Sequence, residues 1–394
     1  MALASGEDDV LTDIITILSE KKGAIKLKRF VVNGKTLMGG HTGIYRYAFN
    51  ILKALDMQLK EYSDLDMVIL FPEEARSQGL EIIEEVDFKE IKIEYYKKCP
   101  HNSLTLWQSF CFLRYIRKNK AIPVSFANIM PYTIRNGIVV IHDIMPLMHP
   151  EWSNKKKVFK TSIMQNRTLS AKKITYIADS NHTVSQIKQY RNGKYSTKEF
   201  CVIGCAWNHM ENIKSDDSVF VNGQIGITEK DKGKYLFSMS GNGMNRNFKW
   251  IYEFAEKNRD TIVVLGGRKQ SKESADEHRE ELANIVYTGF ISDEKIKALY
   301  ENCKAYIYVS LEEGFGLTPM EALACGSPII ISDIEVFREV YGDTAHYVDK
   351  NNANADIDKL LLEKVEEPYN LLKKYTWENT AKSFIDIMVN YKER

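Results

Sequence analysis

Residues 310–326 read SLEEGFGLTPMEALACG and join a glycine-rich loop to the beginning of a helix. The residues that lead into them, KAYIYVS at 304–310, have the length and composition of a buried strand. Thr318, Pro319 and Glu321 have the spacing of a capping box, which predicts a helix with Thr318 at its N-cap and an end near Gly326. No local structural role accounts for Glu313, so this carboxylate is the sharper candidate for contact with a ligand.

The strand–loop–helix order of this stretch repeats along the chain. Strands are predicted in the second half for KYLFSMSGNG, DTIVVLGG, NIVYTGF, KAYIYVS and SPIIISD, most of them followed by a helical pattern. In the first half they are predicted for KRFVVNG, DMVILFP, GIVVIHD, KITYIADS and FCVIG. Such alternation is typical of α/β domains with a largely parallel sheet. The sequence therefore predicts two similar α/β halves with a cleft between them.

Changes in this pattern suggest the domain boundaries. Residues 1–204 are predicted to form an N-terminal α/β domain with an extra helix near residues 7–22. The polar residues 205–232 lack a strong period and are predicted to be a linker. Residues 233–372 are predicted to form the second α/β domain, and residues 373–394 a terminal helix that packs back on the first domain.

Composition excludes several classes of function. The chain has 394 residues, with 54 Lys and Arg against 53 Asp and Glu, so no global basic surface points to nucleic acid. The six cysteines form no CxxC pair, which favours free thiols in a reducing compartment. The histidines lack HxH and HExxH spacing, so no metal site is expected.

The ends and the hydropathy of the chain indicate its location. The N-terminus begins with acidic residues rather than a basic leader, and no run of about 18 apolar residues is present. We therefore expect a cytoplasmic protein.

Four loops after predicted strands carry residues that suit a ligand, since doubly wound sheets bind ligands at the carboxyl ends of their strands. In the loop of residues 310–317, Gly314 and Gly316 let backbone N–H groups approach an anion at a helix N-terminus. Carboxylates beside such a site suit sugar or ribose hydroxyl groups, which are good hydrogen-bond donors. Glu321 could serve as such a ligand or as a helix cap.

The loop GNGMNR at 241–246 begins like a dinucleotide fingerprint but departs from it. Arg246 occupies the position of the third glycine, and no acidic residue ends the next strand. This pattern favours a diphosphate held by cations, Arg246 and Lys249. For Lys249 a solvated helix face explains the charge better.

Two further loops belong to the first half. His142 follows the strand GIVVIHD and has about equal claims as a site residue and as a structural one. The turn LMGGHTGIYRYA holds Gly40 and Gly43, which allow close approach of a phosphate or acceptor or simply form a tight turn.

These segments together resemble glycosyltransferase family 4, the nucleotide-sugar enzymes of the GT-B fold. The stretch EEGFGLTPMEALACGSPIIISD resembles the family signature of two glutamates separated by seven residues. TGIYRYAFNIL, VVIHDIMPLMHPEW, ADSNHTVSQI, NRNFKWIYEFA, VVLGG, YTGFISDEKIKALYENC and FREVYGDTAHYVD resemble family segments in the family's order, over roughly residues 30–390. The resemblance implies an α/β GT-B architecture of two Rossmann-like domains and a deep interdomain cleft.

The resemblance also implies roles for individual residues. Glu313 would contact the hydroxyls of the donor sugar, Arg246 the diphosphate, and His142 the region of the transferred sugar; these are the expected catalytic residues. Glu321 would bind the nucleotide ribose. The other expected donor-binding positions are Gly40, Gly43, Gly241, Asn242, Lys249, Gly314, Phe315, Gly316 and Leu317.

Some positions depart from the family pattern. Asn242 stands where some members have a second phosphate-binding arginine, and Phe337-Arg338-Glu339 replaces a commoner proline–glutamate pair. The acidic N-terminal helix has no counterpart. By resemblance, transfer proceeds with retention by same-face attack and needs no metal, because Arg246 and a helix N-terminus stabilise the leaving diphosphate.

The sequence thus predicts a retaining transferase that moves a hexose-type sugar from a nucleotide-sugar to a glycan or lipid-linked glycan, in synthesis of a cell-surface polysaccharide or glycoconjugate. A nucleotide-sugar epimerase of similar fold and a non-catalytic nucleotide-sugar-binding module are the alternatives. The lysines of SNKKKVFK (Lys155, Lys156, Lys157 and Lys160) and the basic cluster at 21–29 suit either contact with an anionic membrane at its inner face or a solvated surface.

Overall fold

The computed structural model describes residues 27–40, 42–152, 154–223, 225–239, 243–267 and 282–392. The predicted helix near residues 7–22 lies outside these residues, as do Gly241 and Asn242. The architecture is α/β with two parallel sheets, so the predicted fold class is confirmed.

The first sheet belongs to the N-terminal half and has the strand order β3-β2-β1-β4-β5-β6-β7, all parallel. Its strands are β1 Lys28–Asn33, β2 Leu65–Phe71, β3 Lys92–Tyr95, β4 Ile122–Ser125, β5 Asn136–Ile141, β6 Lys173–Ala178 and β7 Phe200–Val202. The order reverses between β1 and β4, which is where ligands bind in doubly wound sheets. Most of these strands are buried along their length, as expected when helices cover both faces.

The second sheet repeats the same topology with the order β10-β9-β8-β11-β12-β13, again all parallel. Its strands are β8 Leu236–Met239, β9 Val263–Gly266, β10 Ile285–Tyr287, β11 Ala305–Tyr308, β12 Ile329–Ser332 and β13 His346–Val348. Here the order reverses between β8 and β11. The loops that follow these two strands contain Arg246 and Glu313.

Helices connect the strands of both sheets. In the N-terminal half they are α1 Gly43–Leu59, α2 Glu81–Glu84, α3 Leu104–Leu106, α4 Leu113–Asn119, α5 Met145–Met148, α6 Lys155–Ser170 and α7 Asn181–Gly193. In the C-terminal half they are α8 Phe248–Lys257, α9 Asp293–Asn302, α10 Leu317–Ala324, α11 Glu335–Tyr341, α12 Ile357–Leu361, α13 Tyr369–Lys374 and α14 Trp377–Val389. Between the sheets the chain forms short 3-10 turns at Asn208–Asn212, Asp217–Gly223 and Glu229–Asp231.

The last helix, α14, returns to the N-terminal half. Its Phe384 ring packs 5.6 Å from Phe126, and Tyr391 beyond its end meets Phe30 edge-on at 6.0 Å. The Tyr391 hydroxyl also accepts a hydrogen bond of 3.1 Å from the backbone N–H of Gly137. The chain therefore crosses between the two halves twice, once near residue 205 and once before α14.

Candidate active site

The two halves meet through the loops that follow their strands. The Cα of Gly314, after β11, lies so close to the end of β5 that an added Cβ would stand 1.8 Å from the carbonyl oxygen of His142. The Ser180 hydroxyl, after β6, donates a hydrogen bond of 2.7 Å to the carbonyl of Gly314. Only glycine permits this approach, so the loop carrying Glu313 is pressed directly against the N-terminal half.

Glu313 is held by one of its two carboxylate oxygens. Its Oε1 lies 2.6 Å from the Tyr308 hydroxyl, 3.0 Å from the Asn245 amide nitrogen and 3.0 Å from the Ser310 hydroxyl. Within the described chain, Oε2 has no hydrogen bond that competes with a ligand. Burial raises the pKa of Glu313 above its ordinary value, and the charge of Arg246 opposes this shift. The side chain is therefore fixed in orientation with one oxygen left for hydroxyl groups.

Arg246 lies beside Glu313 at the end of the turn Met244–Arg246. Its guanidinium carbon is 4.8 Å from the centre of the Tyr308 ring, whose hydroxyl contacts Glu313. Its Nη1 is buried and has no hydrogen-bond partner in the described chain. A buried guanidinium N–H without an acceptor is costly, and a phosphate oxygen is the acceptor that its geometry suits. This observation fits the predicted contact with a diphosphate.

Glu321 does not have the capping role that its spacing suggests. Helix α10 begins at Leu317 after Gly316, which has φ +93° and provides no side-chain cap, and Thr318 Oγ1 instead accepts a hydrogen bond from the Tyr306 hydroxyl. The capping-box prediction is wrong because the helix begins two residues earlier than the box requires. Glu321 is free to point inward, where only 2% of it is exposed.

The partners of Glu321 come from distant parts of the chain. Its Oε1 accepts hydrogen bonds from Arg46 Nη1 on α1 at 3.2 Å and from His209 Nε2 at 3.1 Å. Its Oε2 lies 3.4 Å from the Tyr300 hydroxyl. Burial by itself would raise the pKa of Glu321, but Arg46 and the hydrogen bond from His209 outweigh it and hold the pKa below its ordinary value.

His142 is mostly buried, and residues of the N-terminal half contact both of its ring nitrogens. Nδ1 lies 2.7 Å from Asp179 Oδ2, and Nε2 lies 2.9 Å from the carbonyl of Phe126. The Tyr47 ring packs edge-on against the imidazole at 4.8 Å. Burial by itself would lower the pKa of His142, but the Asp179 carboxylate and the hydrogen bonds to the ring outweigh burial and hold the pKa above its ordinary value. The ring is thus firmly positioned, and it is its backbone carbonyl that meets Gly314.

The remaining predicted donor-binding residues occupy three different settings. Phe315 is buried against Tyr375 at 5.1 Å, and the carbonyl of Gly316 accepts a hydrogen bond from the Tyr341 hydroxyl. Leu317 is half-buried at the first position of α10. Gly40, with φ +76°, and Gly43, at the start of α1, are exposed at the turn after β1.

Lys249 lies apart from these residues. Its side chain is 73% exposed on α8, with Glu253 one turn further at 3.8 Å. This position matches the solvated helix face that was the alternative for this lysine. The structure does not bring Lys249 to Arg246 and Glu313.

A cavity of about 940 Å³ lies between the two halves, beside Arg46 and His209. One wall comes from α1 and the other from the ends of β8, β9 and β10 and the start of α9. The wall includes Gly266, Gly267 and Asp293. Its volume and its place at the carboxyl edge of the second sheet suit a nucleotide.

Two negative findings concern metals and membranes. Across the described residues, no three or more His, Cys, Asp and Glu side chains are grouped so as to hold a metal ion. The prediction that no metal is needed stays a prediction. Within the same residues, every helix is too short or too polar to serve as a membrane span.

The sequence reasoning missed two residues that complete the site, Arg46 on α1 and His209 in the segment that connects the halves. Asp143, which follows His142 at the end of β5, lies half-buried next to Gly314, and its charge contributes to the raised pKa of Glu313. Arg46 and His209 carry no local signal, because each acts on a carboxylate more than 100 residues away.

Comparison with known proteins identifies the class of this architecture. Residues 226–380 match the family model for "Glycosyl transferases group 1". The O-antigen chain mannosyltransferase RfbU of Salmonella typhimurium is 24% identical over 82% of this chain and 87% of its own length. The O-antigen chain mannosyltransferase B of Escherichia coli is 22% identical over 65% of this chain and 71% of its own.

Solved structures share the whole architecture. A sucrose-phosphate synthase from Thermosynechococcus elongatus superposes with a TM-score of 0.67 at 13% identity, over 92% of this chain and 98% of its own. WaaG, a glycosyltransferase involved in lipopolysaccharide biosynthesis, superposes with a TM-score of 0.57 at 12% identity, over 93% and 97%. At these identities the likeness establishes the fold. With the group 1 domain at residues 226–380, the chain is therefore a glycosyltransferase of the GT-B fold.

Proposed function

We propose that the chain is a retaining family 4 enzyme that transfers a mannosyl residue from a nucleoside diphosphate sugar to a glycan or lipid-linked glycan acceptor of a surface polysaccharide. The sugar and the pathway are inferred from the relatives RfbU and mannosyltransferase B, which are O-antigen chain mannosyltransferases. The observation that carries the proposal is that Glu313 and Arg246 both contact Tyr308, with Arg246 Nη1 buried and without a hydrogen-bond partner in the described chain.

Arg246 and Glu313 suit the two sides of the glycosidic bond that breaks, the diphosphate and the sugar. As the bond between the anomeric carbon and the phosphate oxygen breaks, negative charge grows on the diphosphate and Arg246 is placed to stabilise it. Glu313, with Oε2 available, is placed to accept hydrogen bonds from sugar hydroxyls. The acceptor hydroxyl then bonds to the anomeric carbon and gives its proton to an oxygen of the departing phosphate. This route requires no protein nucleophile.

The acceptor would approach from the N-terminal half. Helix α6 begins there with Lys155 and Lys156 and exposes Phe159 and Ile163. Lysines with exposed apolar side chains favour contact with an anionic lipid surface, and a lipid-linked acceptor would be presented at such a surface. The membrane contact is part of the proposal and is tested separately below.

The function is tested by measuring turnover with purified protein. GDP-mannose, with UDP-glucose as the comparison donor, is incubated with and without a mannose-containing lipid-linked oligosaccharide, and nucleoside diphosphate release is followed. A transferase releases nucleoside diphosphate only when acceptor is present, whereas an epimerase shows no net release and a binding module converts nothing. The anomeric configuration of the first product, read by NMR, tests retention.

Variants connect the activity to the site. Glu313→Ala and Glu313→Gln are expected to lower turnover by about 100-fold or more while both remain folded. Glu256→Gln, an exposed carboxylate on α8, is the matched control and should leave turnover unchanged. Full turnover in the Glu313 variants would contradict the donor-site assignment, and absence of any sugar transfer with all donors tested would contradict the function.

A further inference from the structure

Arg46 joins the two halves of the enzyme through two acidic residues. It belongs to α1 in the N-terminal half, yet both residues that it contacts belong to the C-terminal half. Its Nη1 donates to Glu321 Oε1 at 3.2 Å, and its Nη2 donates to Asp293 Oδ1 at 2.8 Å. Glu321 is buried, whereas the Asp293 side chain is 44% exposed at the start of α9. One guanidinium that lines the cavity therefore holds a buried carboxylate and an exposed one.

His209 supports the same carboxylate from the segment that connects the halves. The Trp377 indole N–H donates to His209 Nδ1 at 3.2 Å, and an indole N–H can only donate. Nδ1 must then be the acceptor, so the ring carries its proton on Nε2 and donates it to Glu321 Oε1 at 3.1 Å. Arg46 Nη1 also lies 3.5 Å from Nε2, but two donors cannot form a hydrogen bond. Glu321 Oε1 thus accepts hydrogen bonds from two donors, one on α1 of the N-terminal half and one in the connecting segment.

The carboxylate depends on this support because it is buried. The titratable groups that face Glu321 are Arg46 on α1, His209 in the connecting turn, Tyr300 on α9, Tyr306 on β11, Tyr341 on α11 and Cys325 after α10. Among them Arg46 has the leading effect in lowering the pKa of Glu321 against burial. Without Arg46, burial would raise the pKa of Glu321 and favour the protonated acid, which is a weaker acceptor.

The cavity lies directly against this arrangement, since Arg46, His209 and Asp293 line it. We propose that Arg46 is a positioning residue for the donor nucleotide, holding Glu321 and Asp293 so that the nucleoside hydroxyls meet an oriented acceptor only when the two halves are closed. The inference rests on the proposed function, because it assigns the cavity to a nucleoside diphosphate. It adds that a residue of the N-terminal half contributes to nucleotide affinity.

The test is the affinity for nucleoside diphosphate as a function of pH. Binding of GDP, and of UDP in parallel, is measured by calorimetry for the wild type, Arg46→Gln and Arg46→Lys between about pH 5.5 and pH 8. We expect Arg46→Gln to raise Kd by about tenfold or more at neutral pH. We also expect the ratio of its Kd to that of the wild type to grow as pH falls, because Glu321 becomes protonated. Ionisation of the phosphate affects both proteins equally and cancels in the ratio.

Arg46→Lys separates charge from geometry. Lysine keeps a positive charge near Glu321 but cannot hold both carboxylates with one planar group, so Kd should rise while its ratio to the wild-type Kd stays constant with pH. Asp293→Asn removes only the exposed contact and remains informative if Arg46→Gln fails to fold; it should weaken binding several-fold without pH dependence. Arg76→Gln, an exposed arginine paired with Glu73, is the matched control and should bind as the wild type does.

The outcomes distinguish this inference from the proposed function. If the wild type binds neither nucleoside diphosphate, the proposed function fails and the inference fails with it. If the wild type binds and Arg46→Gln binds equally well, or its Kd ratio to the wild type stays constant with pH, the inference is overturned and the proposed function stands. A merely structural role would lower thermal stability without producing the pH-dependent ratio.

Discussion

Replacing Gly314 with alanine tests whether transfer requires the closed contact between the two halves. Gly314 does not have a positive φ, so its own backbone accepts an alanine without strain. The added methyl would stand 1.8 Å from the carbonyl oxygen of His142 and 2.9 Å from its carbonyl carbon. Both atoms belong to the backbone at the end of β5 and cannot rotate away. The conflict is therefore between the two halves rather than within either.

The size of the effect follows from these distances. Side-chain Cβ atoms essentially never come within 3.0 Å of another heavy atom, so the halves must separate by more than 1 Å at this point. The same displacement would stretch the hydrogen bond from Ser180 to Gly314, now 2.7 Å, beyond hydrogen-bonding range. Steric conflict and the lost bond together disfavour closure by about 2 kcal/mol, or on the order of 30-fold in the closing equilibrium.

Gly314→Ala should change turnover and the closure of the two halves without changing thermal stability. We expect kcat for sugar transfer to fall by at least about tenfold. We also expect the radius of gyration of the protein, measured by small-angle scattering with nucleoside diphosphate present, to be larger than that of the wild type. Thermal stability should change little, as in Gly39→Ala, where the added methyl meets nothing within 4 Å. If Gly314→Ala transfers sugar within about twofold of the wild-type rate, the close approach of Gly314 to His142 is not part of the reactive state.

Other contacts between the halves give three more predictions. Glu312 forms a hydrogen bond of 2.9 Å with His182 and raises the pKa of its imidazole. Closure of the two halves is therefore supported below the ordinary histidine pKa of 6.5 and weakens as pH rises through the raised pKa. The radius of gyration measured by scattering should follow this pH dependence, and His182→Asn should abolish it. Phe384→Ala, at a fully buried ring of α14, should lower the free energy of unfolding by about 3–5 kcal/mol in urea titrations, and a loss below about 1 kcal/mol would show that α14 is not part of the core. Replacing Lys155 and Lys160 by glutamate should reduce sedimentation with anionic vesicles at low salt, and unchanged sedimentation would leave α6 as a solvated face.

The fold was readable from sequence wherever a strand is apolar and bounded by turn residues. The strands that the sequence did not predict are the short ones, β3, β4 and β13. In β4, Pro123 argues against a strand because proline cannot donate to a ladder. The sheet accommodates Pro123 because its neighbour on β5 is Gly137; a Cβ at position 137 would lie 2.1 Å from the Pro123 carbonyl oxygen. The backbone N–H of Gly137 donates its hydrogen bond to the Tyr391 hydroxyl. Residue 391 is far outside any local window.

The site was readable to a more limited extent. Glu313 and Arg246 stood out because loops after strands carry charges that no helix or turn requires, and the structure places them side by side over Tyr308. The position of Glu321 could be found, but its local interpretation as a cap was wrong. Its partner Arg46 is 275 residues away in sequence. Pairing over such a separation depends on how the two halves pack, which spacing along the chain does not encode.

The nature of the contacts between the halves suggests where the enzyme opens. Around α14 the halves share apolar contacts, such as those of Phe384 and Trp377, that water does not replace at low cost. Across the cleft the contacts are polar; Glu339 accepts hydrogen bonds from the exposed N–H groups at the start of α7, and such contacts contribute about 0–1 kcal/mol each. The halves should therefore pivot at α14 and separate at the cleft. The ion pair of Arg46 with the buried Glu321 must also break in this motion, so opening and nucleotide release are expected to occur together.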